Sequence, residues 1–479
     1  AQYYHMEGDC AQRLEAALLR TLRHNAGNGH TCLPRAQLLE TASNFIHQPP
    51  EKLARALDKC IETEELCVKM FDGVPYIYLP DLLAAEQDIA HRLAILARRG
   101  KNTARDLDRN LQVLELTQGF AYAPLQREAI RKAMTENCLV LTGGPGTGKT
   151  TTVNAILQLL ENQAERVALC APTGRAAKRL SELTGRKAST IHRLLEVDYT
   201  GGVVSFIHND KNLLKCDVVI LDEMSMVDVK LFQALVTALR YSCRIIMVGD
   251  ADQLPSVGAG NVFYELIHSE MVPVTVLDWI FRQSKDGLIA YNAKFINEGS
   301  TKLYYDNDFV FVDSPTQIET ARRIQDIYCK EAAERGIENV QILSPFREKG
   351  EAASEQLNRA IRERVNPFRS AEEEVKIGNR TFRVHDRVMQ TKNTEKVSNG
   401  DLGFITGITT DSKGERLVQM DFGGDRKLTY TPEQLAHVDL AYATTIHKAM
   451  GSEFETVIIP IVKAHTIMLY RNLLYTAVT

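Results

Sequence analysis

The chain lacks the features of a membrane, secreted or disulfide-bonded protein. No apolar run among its 479 residues reaches the roughly 20 residues that a membrane span needs. The N-terminal stretch AQYYHMEGDC is polar and has no apolar core of the kind found in signal peptides. The nine cysteines are scattered, and none has zinc-ligand spacing. These absences predict reduced thiols, a cytoplasmic location and no membrane partner.

An excess of positive charge is also missing. The formal net charge is −4, so the surface as a whole is not a basic coat for nucleic acid. A local basic groove is still compatible with this charge, because phosphate contacts need only a few well-placed lysines and arginines. Composition is therefore neutral about nucleic acid. The length predicts about three domains at roughly 150 residues each.

Residues 1–104 are expected to form a helical module. The segment LEAALLRTLRHN has apolar residues at helical spacing, and prolines open the next two helical segments. The segment CVKMFDGVPYIYLP alternates and contains an Asp-Gly turn, which predicts a hairpin. Helices followed by a hairpin suggest a winged-helix-like module. Modules of this kind bind DNA, bind proteins or only pack, and the fold alone does not choose.

From residue 137 onward, short apolar strands alternate with helices, which predicts an α/β fold with parallel sheets. Two groups of strands indicate two α/β domains, at 105–282 and at 283–368 together with 439–479. A β-hairpin is predicted at 196–216 and a small all-β insertion at 369–438. The candidate strands are CLVLT, RVALCA, DVVILD, RIIMVG, NVQILS and TVIIPIV.

The strongest local signal is the phosphate-binding pattern GxxxxGK[ST]. It follows the strand CLVLT and precedes a helix, which is the context that the pattern requires. The glycines let backbone N–H groups approach phosphates, Lys149 is expected to reach the β- and γ-phosphates, and Thr150 to bind Mg²⁺. The predicted nucleotide-binding residues in this loop are Gly144, Pro145, Gly146, Thr147, Gly148, Lys149, Thr150 and Thr151.

Polar residues after later strands supply candidates for the rest of an ATPase site. Asp222 is expected to complete the Mg²⁺ shell, and Glu223 to activate the attacking water. Gln253 is a candidate sensor of the γ-phosphate, with a plain polar turn as the alternative. Arg282 could stabilise transition-state charge across a cleft between domains, although a solvated or salt-bridged arginine is the commoner case.

Taken together and in order, these segments resemble the helicase motifs of RecD-like proteins, in the superfamily 1 branch that moves 5′ to 3′. The segments are GGPGTGKTTT, APTGRAAKRLSELTG, STIHRLL, DEMSM, GDADQLPSVGAGNV, IFRQ and AYATTIHKAMGSEF. The resemblance implies two RecA-like motor domains with ATP bound between them, a pin at the 196–216 hairpin and an SH3-like barrel at the 369–438 insertion. It also implies single-stranded DNA and single-strand/duplex junctions as substrates, with ATP and Mg²⁺ as cofactors.

The same resemblance assigns further residues. Gln126 is similar to the residue that contacts the adenine edge. The residues that resemble the family's DNA-contacting motifs are Pro172, Thr173, Arg175, Lys178, Thr190, His192, Thr445, His447 and Lys448. Without the resemblance, Arg175 and Lys178 would be interpreted as residues on an exposed basic helix face, and His192 and His447 as packed or solvated histidines. Contacts of this kind do not depend on base sequence, which suits a motor that moves along any strand.

Two departures from the family pattern stand out. Met450 occupies the place of the usual glutamine, and loss of that hydrogen-bonding side chain is expected to weaken the coupling between ATP and DNA. The family continues after Thr479 with an arginine that contacts the γ-phosphate, so residues 1–479 alone are expected to hydrolyse ATP poorly. Longer members also carry a helix-hairpin-helix segment upstream of the region that begins at Ala1.

Several alternatives remain within this interpretation. The chain is expected to be a monomeric, stand-alone helicase of DNA repair or recombination that could have repair-protein partners. One alternative is a motor subunit of a recombination nuclease complex of the RecBCD type (exonuclease V). Another is a nucleotide-switched DNA-binding protein that does not move along its strand. A large stimulation of ATP hydrolysis by single-stranded DNA would favour a motor over the switch.

Overall fold

The fold contains two parallel β-sheets, one in each of two α/β units. The computed structural model describes residues 10–98, 106–163, 165–198, 205–280, 287–394, 396–424 and 426–479. Among these residues, no helix combines the length and apolarity that crossing a membrane requires.

The N-terminal unit packs helices on a small antiparallel sheet. Its elements are α1 (Ala11–Ala26), β1 (Cys32–Pro34), α2 (Arg35–Ile46), α3 (Pro50–Glu62), β2 (Cys67–Phe71), β3 (Val74–Tyr78) and α4 (Pro80–Arg98). The hairpin β2–β3 lies where the sequence predicts it, with positive φ at both Asp72 and Gly73, as a tight hairpin turn requires. Leu18, Leu38 and Leu53 form the centre of its core. That this unit is a winged-helix-like module stays a prediction.

A six-stranded sheet forms the first α/β unit. Its elements are α5 (Leu107–Gln118), α6 (Pro124–Thr135), β4 (Cys138–Gly143), α7 (Lys149–Asn162), β5 (Val167–Ala171), α8 (Gly174–Thr184), β6 (Ala188–Thr190), α9 (Ile191–Leu195), β7 (Val197–Asp198), β8 (Ser205–Phe206), β9 (Val218–Leu221), α10 (Val229–Thr237), β10 (Arg244–Gly249), α11 (Val262–His268) and β11 (Val274–Leu277). The strand order is β11-β4-β10-β9-β5-β6, and all pairs are parallel. Every residue of β4, β9 and β10 is buried, because helices cover both faces of the sheet.

Because the strands are parallel, the polar residues that follow them lie at the same edge of the sheet. The carboxyl ends of β4, β5, β9 and β10 lie at one edge of the sheet, which is where open parallel sheets bind ligands. The four predicted strands of this unit are confirmed. At the predicted pin, β7 and β8 pair antiparallel, with Val197 opposite Phe206. Their connection, 199–204, lies outside the described residues.

Antiparallel strands interrupt the second α/β unit. Before them lie α12 (Gly287–Asn297), α13 (Gln317–Arg335), β12 (Val340–Ser344) and α14 (Ser354–Val365). The interruption consists of β13 (Glu374–Ile377), β14 (Arg380–Arg383), β15 (Arg387–Gln390), β16 (Leu402–Thr410), β17 (Arg416–Asp421), β18 (Lys427–Tyr430) and β19 (Val438–Leu440). Five strands form an antiparallel sheet in the order β18-β17-β16-β15-β19, and β13 pairs with β14. The all-β character predicted for this segment is confirmed.

The second parallel sheet closes after the interruption. Its last elements are β20 (Ala443–Thr445), α15 (Ile446–Ala449), β21 (Thr456–Ile458) and α16 (Arg471–Val478). The strand order is β20-β12-β21, again parallel. The strand predicted at TVIIPIV is shorter than expected and ends at Ile458. Pro460 explains the early end, because proline has no N–H to donate to a neighbouring strand.

Candidate nucleotide and DNA site

The loop between β4 and α7 is shaped by its glycines. Gly146 and Gly148 have φ of 71° and 82°, in the left-handed region that side chains disfavour. A Cβ atom at Gly143 would lie 2.6 Å from the carbonyl oxygen of Leu277 on the neighbouring strand. The loop can therefore turn this tightly only with glycine. It delivers the chain to the N-terminus of α7, where unpaired N–H groups favour an anion.

Lys149 places its ammonium group inside this loop. Its Nζ donates to the carbonyl oxygens of Gly143 and Gly144, the latter at 3.0 Å, and the Thr147 hydroxyl donates to the Gly144 carbonyl at 2.8 Å. Neutral carbonyls are weaker partners for an ammonium than phosphate oxygens are. The lysine is thus held at the loop and is chemically suited to exchange these carbonyls for a triphosphate.

The remaining predicted nucleotide residues surround the same loop. Pro145, Thr150 and Thr151 are half-buried, the two threonines in the first turn of α7. Gln126 is buried on α6, where its Nε2 donates to the carbonyl oxygen of Gly148 at 3.3 Å. The residue predicted to contact adenine therefore lies directly against the phosphate-binding loop.

Three carboxylates gather beyond the loop, at the ends of β9 and β10. Asp222 and Glu223 follow β9, and Asp250 follows β10. Glu223 has φ of 52°, a strained conformation of the kind that accumulates at functional sites. Burial, and then the charge of Asp222, raise the pKa of Glu223 to about 7, while the charge of Lys149 acts in the opposite direction. Burial also raises the pKa of Asp222 and Asp250.

These residues fit a magnesium-bound nucleoside triphosphate. The glycine loop leaves room for phosphates, and Lys149 supplies positive charge. No cluster of three or more His, Cys, Asp or Glu side chains that could hold a metal occurs among the described residues. Mg²⁺ needs no such cluster, because one or two protein ligands suffice when phosphates and water complete its shell. The Thr150 hydroxyl and the Asp222 carboxylate are of the right chemistry for that role.

The second α/β unit reaches this site through α16. The Tyr475 hydroxyl donates to Asp250 Oδ2 at 2.8 Å and lies 3.0 Å from the position that a Cβ on Gly144 would take. The Thr476 hydroxyl accepts from the Leu254 amide at 2.8 Å. The sequence did not single out Tyr475, because its partner lies 225 residues earlier in the chain. Its one signal in the sequence is its place in the segment LLYTAVT, just before the arginine with which the family continues after Thr479.

Of Gln253 and Arg282, which are both predicted to act on the γ-phosphate, the structure describes only Gln253. Gln253 follows the Asp250 turn, and its Nε2 donates to the Thr479 hydroxyl at 3.3 Å. It therefore lies between the two α/β units, as a sensor of cleft closure would. Arg282 lies outside the described residues.

Threonines at strand ends recur among the predicted DNA-binding residues. Thr173 follows β5, whereas Thr190 and Thr445 are the last residues of β6 and β20, and each of the three caps the next helix. Their hydroxyls accept from backbone amides at 3.2, 3.1 and 3.4 Å respectively. Each threonine thus sits at a helix N-terminus, where phosphate oxygens are favourably bound. A Cβ at Gly451 would lie 3.3 Å from Thr173 Oγ1, so the first and second units meet at this capping residue.

The basic residues of the same motifs are mostly engaged within the protein. Arg175 Nη1 donates to the Ser452 hydroxyl at 2.6 Å, and burial lowers the pKa of its guanidinium to about 10. Lys178 is exposed on α8, with its ammonium 3.8 Å from Glu182. Lys448 pairs with Asp439 at 3.0 Å. The remaining member of the first motif, Pro172, is half-buried.

Both predicted histidines are partly enclosed. His192 packs against Phe206 of the hairpin strand β8, with ring centroids 5.8 Å apart. Burial lowers the pKa of His192 and of His447. At neutral pH both rings are therefore mainly uncharged, which suits hydrogen bonding or stacking better than ionic contact with phosphate.

Three family models match successive parts of the chain. An AAA domain matches residues 126–259, the ATP-dependent RecD-like DNA helicase SH3 domain matches 357–422, and the UvrD-like helicase C-terminal domain matches 440–479. The chain is 34% identical to the ATP-dependent RecD2 DNA helicase of Deinococcus radiodurans, over 98% of this chain and 64% of that protein. It is 32% identical to the RecBCD enzyme subunit RecD of Mycolicibacterium smegmatis and of Mycobacterium tuberculosis. Those alignments cover 74% and 82% of this chain and 68% and 72% of the relatives.

The chain belongs to the RecD family of helicases. It spans a little under two thirds of the length of the Deinococcus relative, 64%. The solved Pif1 helicase of Candida albicans superposes with a TM-score of 0.45 at 18% identity, over 75% of this chain and 92% of that one. That likeness is too slight to bear on function.

Within this RecD-family chain, the departure at Met450 has a structural setting. Met450 is 8% exposed and belongs to an apolar cluster with Leu254, Leu473 and Ala477. Leu254 follows the Asp250 turn of the first unit, whereas the others come from the second. The methionine thus takes part in an apolar contact between the two units, where an amide side chain would need a buried hydrogen-bonding partner.

Proposed function

We propose that this chain is the motor of an ATP-dependent DNA helicase that moves 5′ to 3′ along single-stranded DNA and separates duplex ahead of it. One observation supports this most: the Tyr475–Asp250 hydrogen bond joins a helix of the second α/β unit to the carboxylates beside Lys149. A nucleotide at that loop would touch both units, so its hydrolysis could change their relative position. The polarity and a role in DNA repair or recombination are inferred from the family.

In this proposal, Lys149 and the glycine loop hold the triphosphate, and Thr150 and Asp222 hold Mg²⁺. Glu223 accepts a proton from the attacking water, and its raised pKa makes it a stronger base than an ordinary carboxylate. Gln253 and Arg282 stabilise the γ-phosphate and report its loss to the second unit. Gln126 holds the adenine edge.

The strand is proposed to run across the capping threonines of both units. Thr173, Thr190 and Thr445 would bind phosphates through hydroxyls and helix N-termini. Each hydrolysis cycle would shift the grip of one unit relative to the other, and the 196–216 hairpin would split the duplex. The other proposed strand contacts are Pro172, Arg175, Lys178, His192, His447 and Lys448. The proposed domain division is 1–104, 105–282, 283–368 with 439–479, and 369–438, in a cytoplasmic monomer.

Unwinding of tailed duplexes tests this function. Two duplexes of identical sequence carry a single-stranded tail on either the 5′ or the 3′ end, and strand separation is followed with Mg·ATP. We expect unwinding of the 5′-tailed duplex, and none when Lys149→Ala replaces the wild type. Unwinding of only the 3′-tailed duplex would refute the proposed polarity.

A second candidate is a motor subunit within a larger recombination complex. It is favoured by the two relatives named as RecBCD enzyme subunits, which align over more than two thirds of their length. In that case the isolated chain would hydrolyse ATP with DNA but unwind poorly until a partner subunit is added. Unwinding by the chain alone would decide against this candidate.

A further inference from the structure

Asp439 lies where three cationic side chains meet. Lys448 Nζ is 3.0 Å from its Oδ2, Arg380 Nη1 is 3.3 Å from its Oδ1, and Arg347 Nη2 is 3.7 Å from its Oδ2. The four residues come from separate parts of the chain: Asp439 from β19, Lys448 from α15, Arg380 from β14, and Arg347 from the loop after β12. The site therefore joins the β-rich insertion to the second parallel sheet.

Two of the three cations at this site depend on a single carboxylate. Arg347 has two other acidic partners, since Glu355 lies 2.7 Å and Glu348 4.0 Å from its Nε. Within the described ranges, Asp439 is the only carboxylate at ion-pair distance from Arg380 or Lys448. Arg380 and Lys448 thus share one carboxylate, which also lies 3.7 Å from Arg347. The side chains of Arg347, Arg380 and Lys448 are 45%, 43% and 34% exposed, whereas that of Asp439 is 21% exposed. The positive groups are therefore open to an anion from solvent.

We propose that Arg347, Arg380 and Lys448 form a subsite for one phosphodiester of the bound strand, and that Asp439 occupies it as an internal competitor. This inference rests on the proposed function, since it assumes a DNA strand at the second unit. The carboxylate presents oxygens to the same cations that a phosphate would use. It weakens the grip on the strand without any base contact, which helps a motor that must release each phosphate.

Binding of a fluorescent oligothymidylate by anisotropy, between about 50 and 200 mM salt, tests the subsite. Asp439→Asn keeps the side-chain shape and removes the competing charge. We expect it to bind several-fold more tightly than the wild type. The slope of log K against log salt should also steepen by about 0.7 for each cation set free.

The matched control is Asp217→Asn, which removes the same charge from an acid paired with Arg166 at 2.8 Å. Asp217 precedes β9, so it lies at the edge of the first sheet opposite the phosphate-binding loop. Equal affinity changes in Asp439→Asn and Asp217→Asn would show a general charge effect and overturn the subsite. A loss of thermal stability in Asp439→Asn without tighter binding would also overturn the subsite, because Asp439 would then only hold the neighbouring segments together.

Arg380→Gln keeps the proposal testable if Asp439→Asn does not fold. In the wild-type background it should weaken binding and make the salt slope shallower by about 0.7. In the Asp439→Asn background, Arg380→Gln should remove part of the gain in oligothymidylate affinity. An unchanged slope overturns the subsite while leaving the proposed helicase intact. Absence of any oligothymidylate binding by the wild type would instead reject both.

Discussion

The Tyr475 hydroxyl donates a 2.8 Å hydrogen bond to the buried carboxylate of Asp250, across 225 residues of sequence. Asp250 follows the strand beside the phosphate-binding loop, and Tyr475 lies on the last helix of the second α/β unit. The bond partly offsets the cost of burying Asp250, whose pKa is raised by burial and lowered by this contact. It therefore links the stability of the cleft to the docking of the C-terminal helix.

Tyr475→Phe removes this donor and leaves a buried acceptor with one partner fewer. An unsatisfied buried group costs about 1–3 kcal/mol, so we expect a lower thermal unfolding midpoint and weaker Mg·ATP binding. Both are measured on the same sample, by scanning fluorimetry and calorimetric titration. The control is Tyr470→Phe at the start of the same helix, where the side chain is 44% exposed. Equal effects of the two substitutions would argue against a special role for the Asp250 bond.

Lys149→Ala tests the phosphate-binding loop. The variant loses the ammonium that lies against the Gly143 and Gly144 carbonyls. Charge-assisted hydrogen bonds contribute about 1.5–3 kcal/mol, so Mg·ATP should bind about 10- to 100-fold more weakly. Lys187→Ala, at an exposed position, is the control and should bind as the wild type does. Undiminished affinity in Lys149→Ala would remove the loop from the nucleotide site.

The pH dependence of hydrolysis should report Glu223. A general base acts only when deprotonated, so ATP hydrolysis should rise with pH as this carboxyl loses its proton; burial raises its pKa to about 7, and Mg²⁺ at Asp222 would lower it from there. Glu223→Gln should abolish hydrolysis at every pH while retaining nucleotide binding. Hydrolysis that survives in Glu223→Gln would assign the base elsewhere.

The same group predicts a stability effect of opposite sign to that of an ordinary ion pair. The folded protein holds the Glu223 proton up to pH about 7, whereas the unfolded chain releases it near 4.5. The folded state therefore binds more protons in this window, and stability falls as pH rises through it. Glu223→Gln should raise the unfolding midpoint at pH 8, by on the order of 1–3 kcal/mol of stability, and leave it unchanged at pH 4. Glu182→Gln, on an exposed face of α8, should leave the midpoint unchanged at both pH values.

Met450→Gln would restore the residue usual in the family, and we expect it to destabilise this chain. Met450 is enclosed by Leu254, Leu473 and Ala477, and an amide buried there without a partner costs about 1–3 kcal/mol. Met450→Leu keeps the apolar character and should cost less than about 1.5 kcal/mol. Comparison of the two unfolding midpoints checks this. A midpoint for Met450→Gln at or above that of Met450→Leu would mean that the glutamine finds a hydrogen-bonding partner.

Local sequence patterns predict the strands and the phosphate-binding loop. Apolar runs bounded by turns identified β4, β5, β9 and β10, because a parallel sheet buries both faces of each strand. The spacing of glycines before Lys149 is itself a requirement of the loop, so it is visible without any structure. The apolar run TVIIPIV predicts a longer strand than β21, which ends at Ile458 because Pro460 has no N–H to donate.

Contacts between distant segments could not be foretold in the same way. Asp439 on β19 and Arg380 on β14 belong to different sheets of the insertion, and only the packing of those sheets brings them within 3.3 Å. The sequence predicts Arg175 as a DNA contact, and it does not predict that the Arg175 guanidinium also donates to Ser452 of the second unit, 277 residues later. Nothing in the local sequence distinguishes a basic side chain that binds a ligand from one that joins two parts of the chain.

The most direct test of the central claim is the rate of Mg·ATP hydrolysis with and without single-stranded DNA, for the wild type, Lys149→Ala and Glu223→Gln, each extended past Thr479. We expect a low basal rate that single-stranded DNA raises at least about tenfold, and no stimulation in either variant. A rate that DNA leaves unchanged in the folded wild type, or one that persists in Lys149→Ala, would contradict a motor built on this loop.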